Sequence, residues 1–554
     1  MTEVPFRQRT YTQSDAVDFV IVGSGAAGGV LAKELSTAGF NVVVLEQGPW
    51  RQSSQFTHDE LAVEQQHDLL NISTEPFQTF RATETETPRR NTGQNIRYLR
   101  GVGGSSVHFA ANYWRLRPSD FKEHSMVGSV AGATLADWPL SYEELEPYYT
   151  KVDWEIGVSG APGPFDPPRS RPYPMPPLPI KSSGVLLERA ANKLGLHAQP
   201  APFAINSVPR DGRSSCQSCG RCTNYGCEFG AKSSTLVTVI PKAIATGRCE
   251  IRTECTAFRV ETNAKGRATG VVYWDRDGKE RKQHARATIL AANGAETARL
   301  LLLSASPHFP HGLANSSGMV GRNLMFNCYS HSFGLFEHPL NEFKGAVTGR
   351  IVLDYYEHDA TRGFYGGGGI DARFPYNPIA FALSMLPADV PSWGREYTRA
   401  LHEYFTHTVR FTSHLTSLPQ LANSITLDAD YKDAHGRPAL SLTYSDHTDD
   451  RSAQLWFQRK MHDMMVAAGA RKVWDLPIVP SDGSVHLLGT ARMGNDPRHS
   501  VVDRYHRAHD VPNLFVCDGS SMVTSGRAQP TMTIQALAFR AADHIARFAR
   551  AHEI

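Results

Sequence analysis

The chain has 554 residues, a length that predicts more than one lobe, and 41% of its residues are hydrophobic and 20% charged, as in an ordinary soluble enzyme. A formal net charge of +2 gives no electrostatic case for binding nucleic acid or an anionic membrane surface. No apolar run approaches the ~18 residues that cross a bilayer, and the N-terminal residues lack the basic-then-apolar pattern of a secretory signal. The cytoplasm is therefore the expected compartment, and periplasmic export together with a tagged partner subunit stays open.

The first element in chain order is a strand, a tight turn and a helix near the N-terminus. Phe19–Val22 form a continuous apolar run, typical of a parallel strand buried on both faces. Gly23, Gly25 and Gly28 follow as G-x-G-x-x-G, in which the first glycine allows the turn, the second admits a pyrophosphate and the third lets the helix pack on the strand. Glu46 ends the next strand about 20 residues later, where a carboxylate accepts hydrogen bonds from a ribose hydroxyl. The pattern predicts a Rossmann-like site for NAD or FAD.

The middle of the chain changes pattern several times. Residues 161–180 are rich in proline, which predicts an extended arm rather than a helix or a central strand. Residues 287–304 again alternate strand, turn and helix, and residues 324–479 turn to alternating strands with aromatic loops. The glycine run at residues 364–371 has no helix pattern after it and predicts a turn or a flexible cover of the site.

Four of the eight cysteines lie within twelve residues, at Cys216, Cys219, Cys222 and Cys227. Only two residues separate the C-x2-C pairs, which disfavours a structural zinc site, because such pairs usually lie a dozen or more residues apart. The first three cysteines match the start of ferredoxin cluster loops, while the fourth comes one residue late. An iron–sulfur cluster and a tight loop of free thiols or a local disulfide both stay open. The other four cysteines are predicted to be buried thiols: Cys249, Cys255, Cys328 and Cys517.

Three further stretches carry a family resemblance: RGVGGSSVHFAANYW from Arg100, HLLGTARMGNDPRH from His486, and RAHDVPNLFVCDGSSMVTSGRAQPTMTIQ from Arg507. With the N-terminal fingerprint they span nearly the whole chain in the order of the glucose–methanol–choline (GMC) flavoprotein oxidoreductases, which the chain resembles. Within this family, the chain as a whole is most similar to the flavoprotein subunits of gluconate and related sugar dehydrogenases.

The resemblance implies an α/β fold with a Rossmann-like FAD-binding lobe and a second, mainly antiparallel-sheet substrate lobe. The expected boundaries are 15–323 and 480–554 for the discontinuous FAD-binding lobe, with the proline-rich arm and the cysteine-rich loop 216–232 inside it, and 324–479 for the substrate lobe. The resemblance also implies that the cofactor is FAD. Besides the residues of the first motif, it assigns to FAD binding Gly103, Gly104 and Ser105 of a second glycine–serine loop, Asp518 and Gly519 after a C-terminal strand, and Thr531 at the start of the last helix.

His108 follows Gly104 by four residues, an offset at which some members of the family tether FAD through a histidine. A covalent link to FAD through His108 and a noncovalent histidine against the flavin ring both stay open.

The resemblance also implies the catalytic residues. The family's base is the histidine that opens an H-x-x-G-T motif, here His486, and a pKa near 6.5 suits removal of a hydroxyl proton while hydride leaves the carbinol. The second catalytic position usually holds Asn or His, whereas this chain has Gln529. A glutamine donates and accepts hydrogen bonds but is no base, and its extra methylene moves the amide outward by about a bond length. We expect an amide-for-amide replacement.

The expected function is FAD-dependent oxidation of a hydroxyl group of a sugar, glycoside, sugar acid or polyol, with electrons passing to an acceptor other than oxygen. A small subunit or a cytochrome is the expected electron partner. An oxidase that reduces O2 to H2O2 and a GMC-type lyase with an altered second catalytic residue stay open. Seven residues of the substrate lobe are predicted either to stack on a sugar or to fill a core: Tyr355, Tyr365, Phe374, Trp393, His402, His407 and His414.

Overall fold

The computed structural model describes residues 8–66, 69, 78–90, 96–340, 343–374 and 377–554. Its strands, in chain order, are β1 (Val17–Val22), β2 (Val42–Leu45), β3 (Gln78–Arg81), β4 (Arg89–Arg90), β5 (Ala198–Pro200), β6 (Cys249–Arg252), β7 (Thr256–Thr262), β8 (Ala268–Trp274), β9 (Glu280–Leu290), β10 (His331–Leu335), β11 (Arg350–Val352), β12 (Gly368–Arg373), β13 (Thr408–Leu415), β14 (Ser424–Lys432), β15 (Pro438–Thr443), β16 (Lys472–Asp475) and β17 (Leu514–Val516).

The α-helices are α1 (Ala26–Thr37), α2 (Glu123–Val127), α3 (Tyr142–Val152), α4 (Ser182–Leu194), α5 (Val239–Ala245), α6 (Glu296–Leu303), α7 (Pro378–Ser384), α8 (Gly394–His407), α9 (Thr448–Ala468) and α10 (Thr531–Arg550). None of the helices in the described ranges has both the length and the apolar composition needed to cross a membrane.

The first sheet has seven strands in the order β6-β2-β1-β9-β8-β7, with β17 also pairing with β9. Strands β6, β2, β1 and β17 run parallel to their neighbours, so Val20 lies beside Val43, and both residues are fully buried. The long strand β9 pairs antiparallel with β8 over its first half and lies between β1 and β17 over its second half. The carboxyl ends of β1, β2, β9 and β17 therefore meet at one edge, where open α/β sheets bind their ligands.

Helices cover this sheet as the apolar patterns predict. Helix α1 packs against α5 and α10, and α10 packs against α3. Helix α10 is buried around most of its circumference, with Met532, Leu537, Phe539 and Ile545 among its buried residues, as expected of a helix enclosed by other elements. The observed mixed α/β architecture confirms the predicted fold class.

The second sheet is antiparallel, with six strands in the order β16-β10-β13-β12-β11-β5. Side chains alternate between its two faces. On β13, Phe411 and Leu415 join a hydrophobic cluster with Phe457 and Met461 of α9. The alternate residues Arg410, Thr412 and His414 line a cavity on the opposite face. One face of the sheet is thus a core surface and the other is a polar wall.

A third sheet has the order β14-β15-β3-β4, and β3 runs parallel to β15 although the two strands lie far apart in sequence. Strands of residues 324–479 are therefore divided between two sheets, and β5 joins the second sheet from outside that range. The domain boundaries stay a prediction. Residues 161–180, all described, form no helix or strand.

The glycine run at residues 364–371 corrects one expectation. It was expected to form a turn or a flexible cover, but β12 begins within it at Gly368. Gly366 makes the preceding turn with φ +93°, which favours glycine. A Cβ at Gly367 or Gly368 would lie 2.2 Å from the carbonyl oxygen of Tyr356 or His414, so the run allows close packing of neighbouring backbone.

Candidate active site

A cavity of about 990 Å³ lies between the carboxyl edge of the seven-stranded sheet and the polar face of the six-stranded sheet. Its volume is at the upper end for ligand sites, which suits a dinucleotide together with a small substrate. Most of the predicted cofactor and catalytic residues line it, namely Gly23, Gly25, Glu46, Gly104, Ser105, His108, His486, Asp518, Gly519, Gln529 and Thr531. Gly28 and Gly103 are adjacent to this lining.

The first glycine turn leaves space where a side chain would otherwise stand. Gly23 has φ +92°, and a Cβ there would lie 2.5 Å from the carbonyl oxygen of Ala291. A Cβ at Gly28 would lie 1.9 Å from the carbonyl oxygen of Gly23, so the helix could not approach the turn as closely. No side chain caps the start of α1, and its first turn holds no acidic residue. Its backbone N–H groups are therefore available to an anionic group in the cavity.

The second loop lies against the first. Gly104 has φ +51°, and a Cβ on it would lie 2.8 Å from the Cα of Gly25. A Cβ at Gly25 would have no atom nearer than the Cα of Gly104, at 3.9 Å. The turn after β1 thus has steric room at Gly25, on the wall of the cavity.

Two buried carboxylates hold the strand ends in place. Glu46 accepts hydrogen bonds from N (3.1 Å) and Oγ (2.7 Å) of Ser24 and from N of Gly48 (3.0 Å). Asp518 accepts from N of Asn293 (3.1 Å) and Oγ1 of Thr297 (2.6 Å). Burial raises the pKa of both carboxyls, and these hydrogen bonds oppose the rise. Both residues also line the cavity, and their predicted contacts with ribose and pyrophosphate stay predictions.

Two buried polar side chains on the cavity wall have no hydrogen-bond partner among the residues that the structure describes. Both ring nitrogens of His108 and both amide atoms of Asn112 make no hydrogen bond, and the residues are 4% and 2% exposed. Burial, with the charges of Lys232 and Arg97, lowers the pKa of His108 to about 3. Buried polar groups need hydrogen-bond partners. These atoms line the same cavity as the two glycine loops, so they fit a bound dinucleotide whose ring offers polar atoms to them. Sequence reasoning missed Asn112, although it lies in the quoted second stretch.

His486 is held in one tautomer. Its Nδ1 lies 2.7 Å from Oδ1 of Asn327 and 3.0 Å from the hydroxyl of Tyr329. Nδ2 of Asn327 donates to the carbonyl oxygens of Leu415 (3.3 Å) and Gly526 (3.4 Å), which fixes Oδ1 toward the histidine. Nδ1 of His486 therefore carries the proton, and Nε2 presents a lone pair. Burial, with the charges of His414 and Arg373, lowers the pKa of His486 to about 3, so the ring is neutral at neutral pH.

Gln529 is held by a chain of hydrogen bonds that runs through His414 to Asp371. Its Nε2 lies 2.6 Å from Nδ1 and 3.4 Å from Nε2 of His414. Nε2 of His414 lies 2.8 Å from Oδ2 of Asp371, which Arg373 binds through both carboxylate oxygens. Although burial pushes the pKa of Asp371 up, the charges of Arg373 and His414 hold it well below its usual range. Tyr329 joins the two groups, because its ring contacts those of both His414 and His486.

Of the seven substrate-lobe residues predicted to stack or to fill a core, Phe374 and His414 line the cavity. Tyr355 packs its ring on Trp456, and Trp393 is 82% exposed. Sequence reasoning missed Asn327, Tyr329 and Asp371, since no motif contains them.

The cysteine loop contacts the cavity beside His108. Thr223 and Asn224 line the cavity, and N of Asn224 donates to the carbonyl oxygen of His108 (2.8 Å). Nζ of Lys232 donates to the carbonyl oxygen of Cys222 (2.6 Å). Burial, with the neighbouring thiols, raises the pKa of Cys219 to about 12.

All eight cysteines lie in the described ranges, where none of them forms a disulfide, and the four outside the loop are buried, as predicted. In the part of the chain that the structure describes, which includes the loop, no three His, Cys, Asp or Glu side chains are placed to hold a metal ion. The four cysteines considered as ligands of an iron–sulfur cluster, Cys216, Cys219, Cys222 and Cys227, are therefore not arranged as a ligand set in this described loop.

Two family models, both described as GMC oxidoreductase, match residues 17–328 and 419–538. The chain is 34% identical to the 2-methyl-1,2-propanediol dehydrogenase of Mycolicibacterium austroafricanum, over 97% of this chain and 96% of that protein. It is 32% identical to the fructose dehydrogenase large subunit of Gluconobacter japonicus, over 96% of this chain and 98% of that protein. A formate oxidase of Aspergillus oryzae RIB40, whose solved structure concerns FAD modification, has the same fold, with a TM-score of 0.66, 15% identity and coverage of 98% of this chain and 100% of that one.

Proposed function

The chain belongs to the GMC oxidoreductase family, and we propose that it is an FAD-dependent dehydrogenase that oxidises a hydroxyl group of a sugar, glycoside, sugar acid or polyol to the carbonyl. Membership in the family confirms the resemblance drawn from the sequence motifs. The observation that carries the proposal is the open lone pair on Nε2 of the neutral His486 in the cavity that also contains the two glycine loops.

FAD, when bound, supplies the acceptor for the hydride of the carbinol carbon. The turn from Gly23 to Gly25 and the start of α1 would hold its pyrophosphate, and His108 and Asn112 offer unpartnered polar atoms to its ring. Nε2 of His486 takes the hydroxyl proton. Nδ1 keeps its own proton and goes on donating it in the hydrogen bond to Oδ1 of Asn327. The product imidazolium then has Oδ1 of Asn327 as an acceptor that stabilises its positive charge.

We further propose that the electrons pass to an acceptor other than oxygen, through a small subunit or a cytochrome. The relative of Gluconobacter japonicus is named a large subunit, which supports a partner chain. Relatives named dehydrogenases favour this reading over the lyase. The compartment stays a prediction.

The cysteine loop is proposed as the side on which electrons leave, because its backbone is hydrogen-bonded to His108. An iron–sulfur cluster there requires the four thiols to move into a common ligand set, and it stays a hypothesis. Iron and acid-labile sulfide, measured per flavin in protein purified without oxygen, test it. About three irons per flavin, the content of a [3Fe–4S] cluster, would support the cluster; no iron would leave a loop of free thiols.

The proposed reaction is tested by mixing the flavin-loaded protein with a panel of sugars, sugar acids and polyols without oxygen. Bleaching of the flavin absorbance by at least one compound is expected. The His486→Ala variant should retain its flavin, and its rate of flavin bleaching should be lower by about 10²–10⁴-fold. A wild-type protein that holds flavin and is not bleached by any hydroxylated compound would contradict the proposal. Reoxidation by oxygen as fast as by soluble quinones would favour the oxidase instead.

A covalent link through His108 is a separate hypothesis. Acid precipitation of the holoenzyme separates the two readings, since covalently bound flavin stays with the pellet and noncovalent flavin stays in solution. If the link exists, His108→Ala should move the flavin from the acid pellet of the wild-type protein into the solution.

A further inference from the structure

Two hydrogen-bond acceptors face the cavity, and the protein fixes the orientation of both. One is Nε2 of His486, which is an acceptor because Asn327 holds the proton on the other ring nitrogen. The second is Oε1 of Gln529. A single hydroxyl donates one proton, so it satisfies one of these acceptors and leaves the other without a partner.

The orientation of Gln529 follows from the residues behind it. A carboxylate only accepts, so Nε2 of His414, 2.8 Å from Asp371, carries the proton, and Nδ1 is left as an acceptor. Nη2 of Arg373 lies 3.0 Å from the same nitrogen, but a bare Nε2 would place its lone pair against a carboxylate oxygen of Asp371 at 2.8 Å, which is repulsive, so the proton lies on Nε2. The bare Nδ1 requires a donor, so the NH2 group of Gln529 points to His414 and Oε1 points away from it.

Oε1 of Gln529 is buried and accepts no hydrogen bond from the described part of the chain, and the residue is 8% exposed on the cavity wall. A buried acceptor without a partner is destabilising unless a ligand donates to it. The ring centroid of Tyr329 lies 5.3 Å from that of His414, which holds Gln529, and 6.0 Å from that of His486, so both acceptors border the same part of the cavity.

Resting on the proposed function, we propose that Gln529 selects substrates with a second hydroxyl on the carbon next to the reacting one. The reacting hydroxyl donates to Nε2 of His486, and the neighbouring hydroxyl donates to Oε1 of Gln529. The preferred substrates are then vicinal diols, which include polyols and sugars. The replacement of the usual Asn or His at this position changes which substrate group is recognised, and the base is unaffected.

Three alcohols of one carbon skeleton test the inference, with kcat/KM of flavin reduction as the readout. They are propane-1,2-diol, propan-1-ol, and 2-methoxypropan-1-ol, whose ether oxygen accepts but cannot donate. The wild-type protein should prefer the diol over both others by about tenfold or more, the effect of one hydrogen bond to a buried acceptor. An ether oxidised as fast as the diol would show that Gln529 donates, and would overturn the inference.

Gln529→Met removes the acceptor while keeping a similar side-chain length. The ratio of kcat/KM for the diol to kcat/KM for propan-1-ol, measured within this variant, should fall to about twofold or less. Gln420→Met is the matched control, because the Gln420 amide donates to the carbonyl oxygen of Ser445 and the residue does not line the cavity. A preference that survives Gln529→Met would overturn the inference.

Weak turnover of these small alcohols does not end the test. If only a sugar from the panel reduces the flavin, the same comparison is made between that sugar and its monodeoxy derivatives. Equal rates for the sugar and for each derivative deoxygenated beside the reacting carbon would overturn the inference and leave the proposed function standing. Failure of every hydroxylated compound would instead contradict the proposed function.

Discussion

Oδ1 of Asn327 accepts a hydrogen bond from Nδ1 of His486 at 2.7 Å, and two backbone carbonyls keep the amide from rotating. This contact determines which nitrogen of the proposed base faces the cavity. Asn327 touches His486 and is not a lining residue of the cavity, so it acts as a positioning residue.

Asn327→Ala should lower the rate of flavin reduction by about 10–100-fold, because either tautomer of His486 becomes accessible and the ring loses its orientation. Asn327→Asp keeps an oxygen at the same place and should retain more activity. Its carboxylate should also raise the pKa of His486 and move the acid limb of the pH profile upward. Stopped-flow reduction across pH measures both effects. An Asn192→Ala variant, on the exposed side of α4, is the control, and an unchanged rate in Asn327→Ala would contradict the positioning role.

The pH dependence of flavin reduction should lack a step near pH 6.5. The pKa of His486 is lowered to about 3, chiefly by burial, so the base form persists at every pH above that value. kcat/KM should therefore not fall by protonation of the base between pH 8 and pH 5. A tenfold loss centred near pH 6.5 would show that the base titrates as an ordinary exposed histidine.

Substitutions of two glycines in the first turn should have different consequences. Gly28→Ala places a Cβ 1.9 Å from the carbonyl oxygen of Gly23, so the turn must shift and the protein should lose both stability and flavin. Gly25 has φ −66°, and its added Cβ would meet no atom closer than 3.9 Å. Gly25→Ala should therefore fold with a near-normal Tm and contain less than half the flavin per chain. Full flavin content in Gly25→Ala would contradict the proposed pyrophosphate position.

A buried arginine should be more important for stability than an exposed one. Nη1 of Arg527 lies 2.8 Å from Asp120, Nη2 lies 3.3 Å from Glu123, and the arginine is 2% exposed. Burial raises the pKa of Glu123 to about 8, against the opposing charge of Arg527. Arg527→Met leaves the buried Asp120 carboxylate without its cation and should lower the free energy of unfolding by about 3–5 kcal/mol.

The matched control is Arg498→Met, which breaks an exposed ion pair with Asp496 and should leave the urea midpoint unchanged. Equal effects of Arg527→Met and Arg498→Met would contradict the importance of the buried pair.

His506 should make stability depend on pH in the acid range. The residue is buried, Nδ1 donates to the carbonyl oxygen of Val516 (3.0 Å), and burial, with Arg540, lowers its pKa to about 3. The unfolded chain, with a pKa near 6.5, binds more protons in this window, so stability is complete above pH 6.5 and is lost as the pH falls toward 3.

His506→Asn should remove roughly 2 kcal/mol of the stability difference between pH 7 and pH 5, measured by urea unfolding. His552→Asn is the control, because His552 also has a positive φ but is exposed. An identical pH slope in His506→Asn and the wild-type protein would contradict the role of His506.

The sequence predicted those parts of the site that short spacings encode. Gly23, Gly25, Gly28 and Glu46 follow from one strand–turn–helix unit, because close approach of backbone there requires glycine. His486 and Gln529 followed from family motifs, and both line the cavity. Their catalytic roles stay predictions.

The partners of these residues could not be predicted in the same way. Asn327 lies 159 residues from His486 in sequence. Their contact depends on how the segments around these two residues meet in the fold with the carbonyls of Leu415 and Gly526. Asp371 and His414 lie on neighbouring strands. The alternation of side chains along a strand shows that the two residues share a face of the sheet, but it does not show which other part of the protein that face borders. The same limit explains the parallel pairing of β3 with β15, which no local pattern encodes.

The eight residues of strand β13 alternate between core packing and the cavity wall. Its odd-numbered positions, such as Phe411, are packed against α9, whereas Arg410 and Thr412 face the cavity. Exchanges at the even-numbered positions alter what the pocket accepts without creating a void in the core. A library randomised at Arg410 and Thr412 should therefore yield mostly folded proteins with changed substrate ranges, whereas one randomised at Phe411 should yield mostly unfolded chains.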